Sequence, residues 1–391
     1  MIIRDSEKQL QQLCKQFPCT VVLGPRQVGK TTLVKNFVKK LKKNIVYLDM
    51  ELQSDRNKLV DIELFFANNR KNVVIIDEVQ LIPEIFASLR PEIDALRKPG
   101  RFILTGSASL QLVKGVSESL AGRVAYMDIH PISLFESAQK NVVLSKHWFR
   151  GGFPNALLAK SNDEYNRWAE YFIRSYVERD LSAIFGVGIT PALARNFWNM
   201  IAIQHGNIWN AEAMARSLGV SGPTVNRYLE FMEGAFLLRK LPAWFINAKK
   251  RMVKAPKIYI RDTGLLHFSN NVLNQINLQG HPIVGASWEG YVVEEICKIL
   301  PNKIRPYFYR THHGAEVDLV LVNGIKPLAC IEIKHSLSPV LKEGFYNCIQ
   351  ELKTNSNFVI YSGIEKYKKD KNILVLSLPD FLKNHLPKLI K

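Results

Sequence analysis

The stretch Gly24-Pro25-Arg26-Gln27-Val28-Gly29-Lys30-Thr31-Thr32 constrains this chain more than any other, because it fits the pattern G-x-x-x-x-G-K-[ST] in full. Each fixed position has a chemical task. Gly24 and Gly29 let the backbone turn tightly and aim its N–H groups at phosphate oxygens. Lys30 supplies a point charge to the β- and γ-phosphates, and the Thr31 hydroxyl can ligate Mg²⁺. The flanks agree: residues 20–23 are a short apolar, β-rich run, and residues 32–41 have helical spacing. The loop is therefore predicted to join a strand to a helix N-terminus, with ATP and Mg²⁺ as the expected ligands.

Residues 72–80 read NVVIIDEVQ, an apolar β-branched run that ends in two carboxylates. Such a run suits an inner parallel strand buried on both faces. Acids at its C-terminal end sit where ligands bind in open α/β sheets. Asp77 is expected to hold Mg²⁺ directly or through water, and Glu78 to polarise the attacking water of a phosphoryl transfer. A third strand, 101–104, ends in Thr105-Gly106-Ser107. A polar side chain there can contact the γ-phosphate and the water, so Thr105 and Ser107 are both candidates, and a hydrogen-bonded turn is the alternative. Asp49 and Glu51, after a strand at 44–48, either support the magnesium site from behind or cap a helix at the surface.

A chain of 391 residues is too long for one ordinary core and suggests two or three domains. Its 47% apolar content suffices for globular packing, and no apolar stretch approaches the roughly 20 residues that span a bilayer. The opening MIIRDSEKQL lacks a secretory pattern, so a cytoplasmic protein with no membrane partner is expected. Five scattered cysteines without a Cys-x-x-Cys pair indicate neither a disulfide framework nor structural zinc. His312-His313, followed by Gly314, reads as a polar hairpin tip. The net charge of +18 favours a polyanion such as DNA through counterion release, but a lysine-rich composition running through the chain gives the same sum.

Three segments follow one another. Residues 1–150 alternate strand and helix (20–23, 31–41, 44–48, 61–68, 73–76, 85–96, 101–104), which predicts a parallel sheet with helices on both faces. Residues 151–280 look mostly helical. Within them, 210–229 read NAEAMARSLGVSGPTVNRYL, with Met214, Leu218, Val220, Val225 and Leu229 flanking a Gly-Val-Ser turn. A winged helix is expected, with Ser221 as N-cap, strands at 236–241 and 257–260, and Thr224, Asn226 and Arg227 facing a DNA groove. A packing module that never touches DNA has the same outline.

Residues 281–391 change character again. A helix opened by Ser287 carries Glu289, and strands follow at 305–310, 316–322 and 329–334. Period-two alternation puts Glu316 with Asp318 on one face of their strand, and Glu332 with Lys334 on one face of theirs. Adjacent strands would unite Asp318, Glu332 and Lys334. This is the chemistry of metal-dependent phosphodiester hydrolysis, with Asp318, Glu332 and Glu289 holding Mg²⁺ and Lys334 orienting water. An exposed strand pair with an ordinary ion pair is the alternative.

With GPRQVGKTT, VVIIDEVQ, ILTGSAS, LAGRV, PISLFE, KIYIRDTGLL and the YFYRTHHGAEVDLVL…IEIKHS ending in hand, the chain resembles AAA+-like P-loop ATPases that carry a C-terminal DUF4143 domain. The resemblance covers nearly the full length, and the order of the motifs is its most specific part. It implies an α/β ATPase core, a winged-helix-like middle and a C-terminal fold similar to PD-(D/E)xK nucleases. It also implies an arginine that reaches the γ-phosphate of a neighbouring subunit in a homo-oligomer. Arg123 is the best-placed residue for that role, unless it pairs with an acid. The helical segment has no clear second sensor arginine. Ser107 is expected to sense the γ-phosphate. The competing expectation is a nucleotide-gated scaffold that binds a protein partner.

Overall fold

The computed structural model describes residues 2–107, 122–181, 188–245, 254–312 and 314–391. The chain forms two compact units. The first comprises Met1–His147, Gly152–Arg195 and Arg227–Leu237, and the second Trp148–Gly151, Asn196–Asn226 and Leu238–Lys391.

The first unit is built on five strands: β1 (Cys19–Leu23), β2 (Ile45–Asp49), β3 (Val73–Asp77), β4 (Phe102–Gly106) and β5 (Val124–Asp128). All pair in parallel, in the order β2-β3-β4-β1-β5. Strand alternation divides the side chains between two cores. Val21, Val74, Ile76, Phe102 and Leu104 pack with Phe86 and Leu89 of the helix Ile85–Ala95. Val22, Val73, Ile75 and Ile103 pack with Leu33, Val34 and Phe37 of the helix Lys30–Val38. Burial on both faces explains the unbroken apolar runs of β1 and β3.

The expected strands and helices lie within a few residues of these bounds. Several elements were not legible, two of them around the sheet. The edge strand β5 alternates buried and exposed residues, and the helix Ser6–Gln16 buries only Leu10, so neither displays a strong apolar pattern. Later in the same unit the helix Asn162–Phe172 is capped by Ser161, whose Oγ accepts from Glu164 N at 3.1 Å, and runs on into the π-helical turns Ile173–Asp180.

The second unit contains the helix Ala211–Leu218, a left-handed turn at Gly219, and the start of the helix Gly222–Gly234, whose remainder belongs to the first unit. Ser221 caps the second helix by accepting from Thr224 N at 3.3 Å. Strands β6 (Leu238–Leu241) and β7 (Lys257–Ile260) then pair antiparallel. Most of the basic run at 249–254 lies outside the described residues.

The C-terminal sheet is mixed. It comprises β8 (Ile304–Arg310), β9 (Glu316–Asn323), β10 (Lys326–Lys334), β11 (Ser356–Tyr361), β12 (Tyr367–Asp370) and β13 (Ile373–Ser377), in the order β12-β13-β11-β10-β9-β8. Val320, Cys330 and Val359 pack with Phe345 and Cys348 of the helix Glu343–Leu352. The lysine-rich stretch around residue 368 forms the exposed edge strand β12, where charge discourages further strand pairing. One expectation is corrected here. Ser287 does not open its helix, which starts three residues earlier as Val284–Cys297; Ser287 is buried inside it and accepts from Trp148 Nε1 at 2.9 Å. Among the described residues, no helix is long and apolar enough to cross a membrane.

Candidate functional site

Strand order builds the site. The insertion of β4 between β1 and β3 sets the phosphate loop, the end of β4 and the Asp77 carboxylate side by side at the C-terminal edge of one sheet. Gly24 leaves β1 in contact with the segment after β5: a Cβ built on it would lie 2.4 Å from the Ile129 carbonyl oxygen, so only glycine fits. Gly29 has φ +98°, a conformation that glycine adopts without strain, and hands the chain to the helix Lys30–Val38.

Lys30 is 4% exposed and donates to the carbonyls of Gly24 at 3.1 Å and Pro25 at 3.0 Å, with Glu78 at 3.9 Å. Burial lowers its pKa, against the opposing pull of Glu78 and Asp77. Thr31 Oγ1 donates to Asp77 Oδ2 at 2.7 Å. A hydroxyl and a carboxylate are hard oxygen donors, so this pair suits Mg²⁺, with Tyr47 and Thr105 as the outer partners that hold Asp77. Thr105 is thereby occupied with Asp77, and also accepts from Glu78 N at 3.3 Å. Ser107 faces Gln80 instead. The Gln80 amide donates both to Glu78 Oε2 at 2.5 Å and to Ser107 Oγ at 3.0 Å, which ties the two expected catalytic groups together. Glu78 itself sits at φ +56°, a left-handed conformation that costs a non-glycine residue energy and often marks a functional position.

The loop is braced from outside by residues with no motif. Arg4 donates to Val28 O at 3.1 Å, to His130 O at 2.5 Å and to Glu136 at 3.1 Å. Glu136 in turn closes a capping box with Ser133, which gives the PISLFE stretch its structural task. Gln27 accepts from Trp168 Nε1 at 2.9 Å. Arg26 pairs with Asp180 and with Glu51 at 2.8 Å; burial opposes its charge, but the two acids raise its pKa on balance. Glu51 thus serves the loop arginine, and Asp49 accepts from Glu51 N at 2.9 Å. Thr32 follows Thr31 in the first helical turn and is exposed.

Arg123 lies at the opposite edge. It precedes Val124, which registers with Cys19 at the start of β1, so about 16 Å of strand separates it from the phosphate end. Its guanidinium forms a two-pronged pair with Asp94 at 2.9 and 2.8 Å. Arg123 therefore does not complete the site of its own chain. Residues 108–121, including parts of the ILTGSAS and LAGRV stretches, lie outside the described residues.

In the helix-turn-helix, Asn226 accepts from Trp209 Nε1 at 2.8 Å and the Arg227 guanidinium stacks 5.4 Å from the Phe231 ring centre. Of the three residues expected to face a groove, these two make contacts within the chain while staying exposed.

The second unit has its own cleft, of about 1040 Å³, and Glu289, Asp318, Glu332 and Lys334 all line it. The strand alternation read from sequence does bring them together. Lys334 Nζ lies 2.5 Å from Glu332 and 3.9 Å from Asp318. Asp318 Oδ2 accepts from Ile333 N at 2.8 Å, and burial beside Glu332 and Glu289 pushes its carboxyl well up. A residue from β7 completes the group: Lys257 Nζ lies 3.0 Å from Glu289, 2.7 Å from Glu316 and 3.8 Å from Asp318. Among the described residues no three His, Cys, Asp or Glu side chains are set to hold a metal ion. The expected ligands Asp318, Glu332 and Glu289 thus meet, together with the ammonium groups of Lys257 and Lys334.

Sequence comparison adds independent findings. Residues 16–138 match the AAA domain family (AAA_14), 142–275 a domain of unknown function (DUF8612) and 284–381 the domain of unknown function DUF4143. Uncharacterized proteins of Mycobacterium tuberculosis and Mycobacterium bovis are each 34% identical over 380 residues, covering 97% of this chain and 84% of theirs. An uncharacterized protein of Haemophilus influenzae is 27% identical, over 66% of this chain and 72% of its own. Among solved structures, a Walker-type ATPase of Pyrococcus abyssi aligns over 69% of this chain and 96% of its own, at 16% identity and a TM-score of 0.49. The chain belongs to the family of AAA-like P-loop ATPases with a C-terminal DUF4143 domain, represented by the two mycobacterial proteins.

Proposed function

We propose that the protein is a Mg²⁺-dependent ATPase whose nucleotide state controls its C-terminal domain. The observation that carries this reading is the meeting of Lys30, Thr31, Asp77 and Glu78 at one edge of the parallel sheet. The roles follow from position. The loop N–H groups and Lys30 take the phosphates, and Lys30 exchanges its loop carbonyls for phosphate oxygens. Thr31 and Asp77 hold Mg²⁺, which offsets charge on the transferring phosphoryl group. Glu78 orients the attacking water and accepts its proton, while Gln80 keeps the carboxylate turned toward Ser107. Purified wild-type protein should release phosphate from ATP, and Lys30→Ala should lose tight nucleotide binding or turnover. Normal turnover by Lys30→Ala would sink this assignment.

Control of the C-terminal domain is supported by one hydrogen-bond path inside the first unit. Tyr176 OH donates to the Ser107 carbonyl at 2.9 Å and lies 3.4 Å from the Ala235 carbonyl, just past the helix Gly222–Gly234 that contributes residues to both units. Asp180, on the same π-helical turns as Tyr176, pairs with the loop residue Arg26. A change at the γ-phosphate can therefore reach that helix through Ser107 and Tyr176. The partner we propose is DNA, favoured by 53 basic against 35 acidic residues. An affinity that falls steeply with salt supports DNA, and a slope near zero points instead to a protein partner. A second subunit that offers Arg123 to the nucleotide is part of the same proposal, with release of Asp94 as its requirement.

A further inference from the structure

The KIYIRDTGLL stretch is not used by the ATPase reading, yet its strand β7 begins at the C-terminal cleft with Lys257. Period-two alternation places Lys257 and Tyr259 on one face of β7, and both donate to Glu289 Oε1, at 3.0 and 2.6 Å. Lys257 is 4% exposed, although a buried ammonium is costly unless acids compensate it. Here Glu316 and Asp318 of β9 and Glu289 of the helix Val284–Cys297 supply that compensation. On the far side, Lys334 serves Glu332 and Asp318, and Glu332 Oε2 remains buried without a hydrogen-bond partner.

We infer that Lys257 is the built-in cation of this cleft, so that the nuclease-like carboxylates form a lysine-neutralised, metal-free site. A divalent ion bound by Glu289, Glu316 and Asp318 would have to occupy the place of the Lys257 ammonium. The two cations would repel at contact distance, and the lysine, tethered to β7, has the advantage of being intramolecular.

The test is a calorimetric Mn²⁺ titration of the full-length protein without nucleotide. Wild-type protein should show no Mn²⁺ binding that Asp318→Asn removes. Lys257→Ala, which vacates the cation position, should gain a Mn²⁺ site about a hundredfold tighter or more, lost again in Lys257→Ala/Asp318→Asn. Mn²⁺ should raise the melting temperature of Lys257→Ala by more than that of the wild type, with the difference lost in Lys257→Ala/Asp318→Asn. Wild-type Mn²⁺ binding abolished by Asp318→Asn would overturn the inference, and so would a folded Lys257→Ala indifferent to Mn²⁺. Should Lys257→Ala not fold, the wild-type and Asp318→Asn titrations decide alone. Phosphate release from ATP, which does not involve Lys257, separates this outcome from failure of the ATPase reading.

Discussion

Replacing Gln80 with alanine tests the geometry of the hydrolytic site beyond its motifs. The Gln80 amide donates to a Glu78 carboxylate oxygen at 2.5 Å and to Ser107 Oγ at 3.0 Å, so the substitution frees two groups at once. A hydrogen bond to a charged group contributes about 1.5–3 kcal/mol. If that holds Glu78 in its working orientation, its loss lowers turnover by about ten- to a hundredfold, since about 1.4 kcal/mol is tenfold in rate. Nucleotide affinity should hardly move, because Gln80 touches neither the phosphate loop nor Lys30. Steady-state phosphate release gives kcat and KM, and calorimetry with a non-hydrolysable ATP analogue gives affinity. Gln80→Glu should also be slow, because a second carboxylate repels Glu78. Turnover by Gln80→Ala equal to wild type would refute the role of the amide, and a large rise in KM with kcat unchanged would make Gln80 a binding residue instead.

Three further outcomes are expected. Tyr176→Phe keeps the ring in place but removes the donor to the Ser107 carbonyl; hydrogen exchange of the helix Gly222–Gly234 should then lose its response to nucleotide, and an unchanged response would exclude this path. Arg101, 3% exposed, donates to Glu92 at 2.7 Å and to two carbonyls. Arg101→Met should cost about 3–5 kcal/mol by denaturant titration, reduced to the extent that Arg70 still serves Glu92. His267 is buried and neutral, with Nδ1 donating to Phe149 O at 2.8 Å and Ser287 Oγ at 2.6 Å from Nε2, and burial lowers its pKa from 6.5 to about 4. A depressed folded-state pKa stabilises the fold above pH 6.5 and loses that contribution as pH falls toward 4, on the order of 3 kcal/mol in total. Melting curves of wild type and His267→Gln across this window should converge at acid pH, and parallel curves would contradict the assignment.

The reach of sequence reasoning here has physical limits. Lys30, Thr31, Asp77 and Glu78 were legible because phosphate chemistry fixes their spacing and because each ends or follows an apolar strand buried on both faces. Asp318, Glu332 and Lys334 were legible because a strand's period of two fixes which side chains share a face. Gln80 follows the acid pair as an amide with no signature of its own, and its role depends on where β4 places Ser107. Tyr47 reaches Asp77 only because β2 lies beside β3, and Asp180 reaches Arg26 only after the helical segment has folded back. Lys257 opens the KIYIRDTGLL stretch, yet its part in the cleft depends on a tertiary approach that no local spacing encodes. Asn226 and Arg227 are exposed, as their helical spacing implies, but their contacts with Trp209 and Phe231 are not encoded by that spacing.

The most direct measurement of the central claim is retention of γ-labelled ATP by the purified protein with Mg²⁺, comparing wild type with Glu78→Gln. Glu78→Gln keeps the loop, Lys30 and the Thr31–Asp77 pair, so it should bind ATP and hold the label as intact nucleotide. Wild-type protein should release labelled phosphate faster by about a hundredfold or more, the usual scale of a positioned general base. Equal hydrolysis by the two proteins would contradict the account.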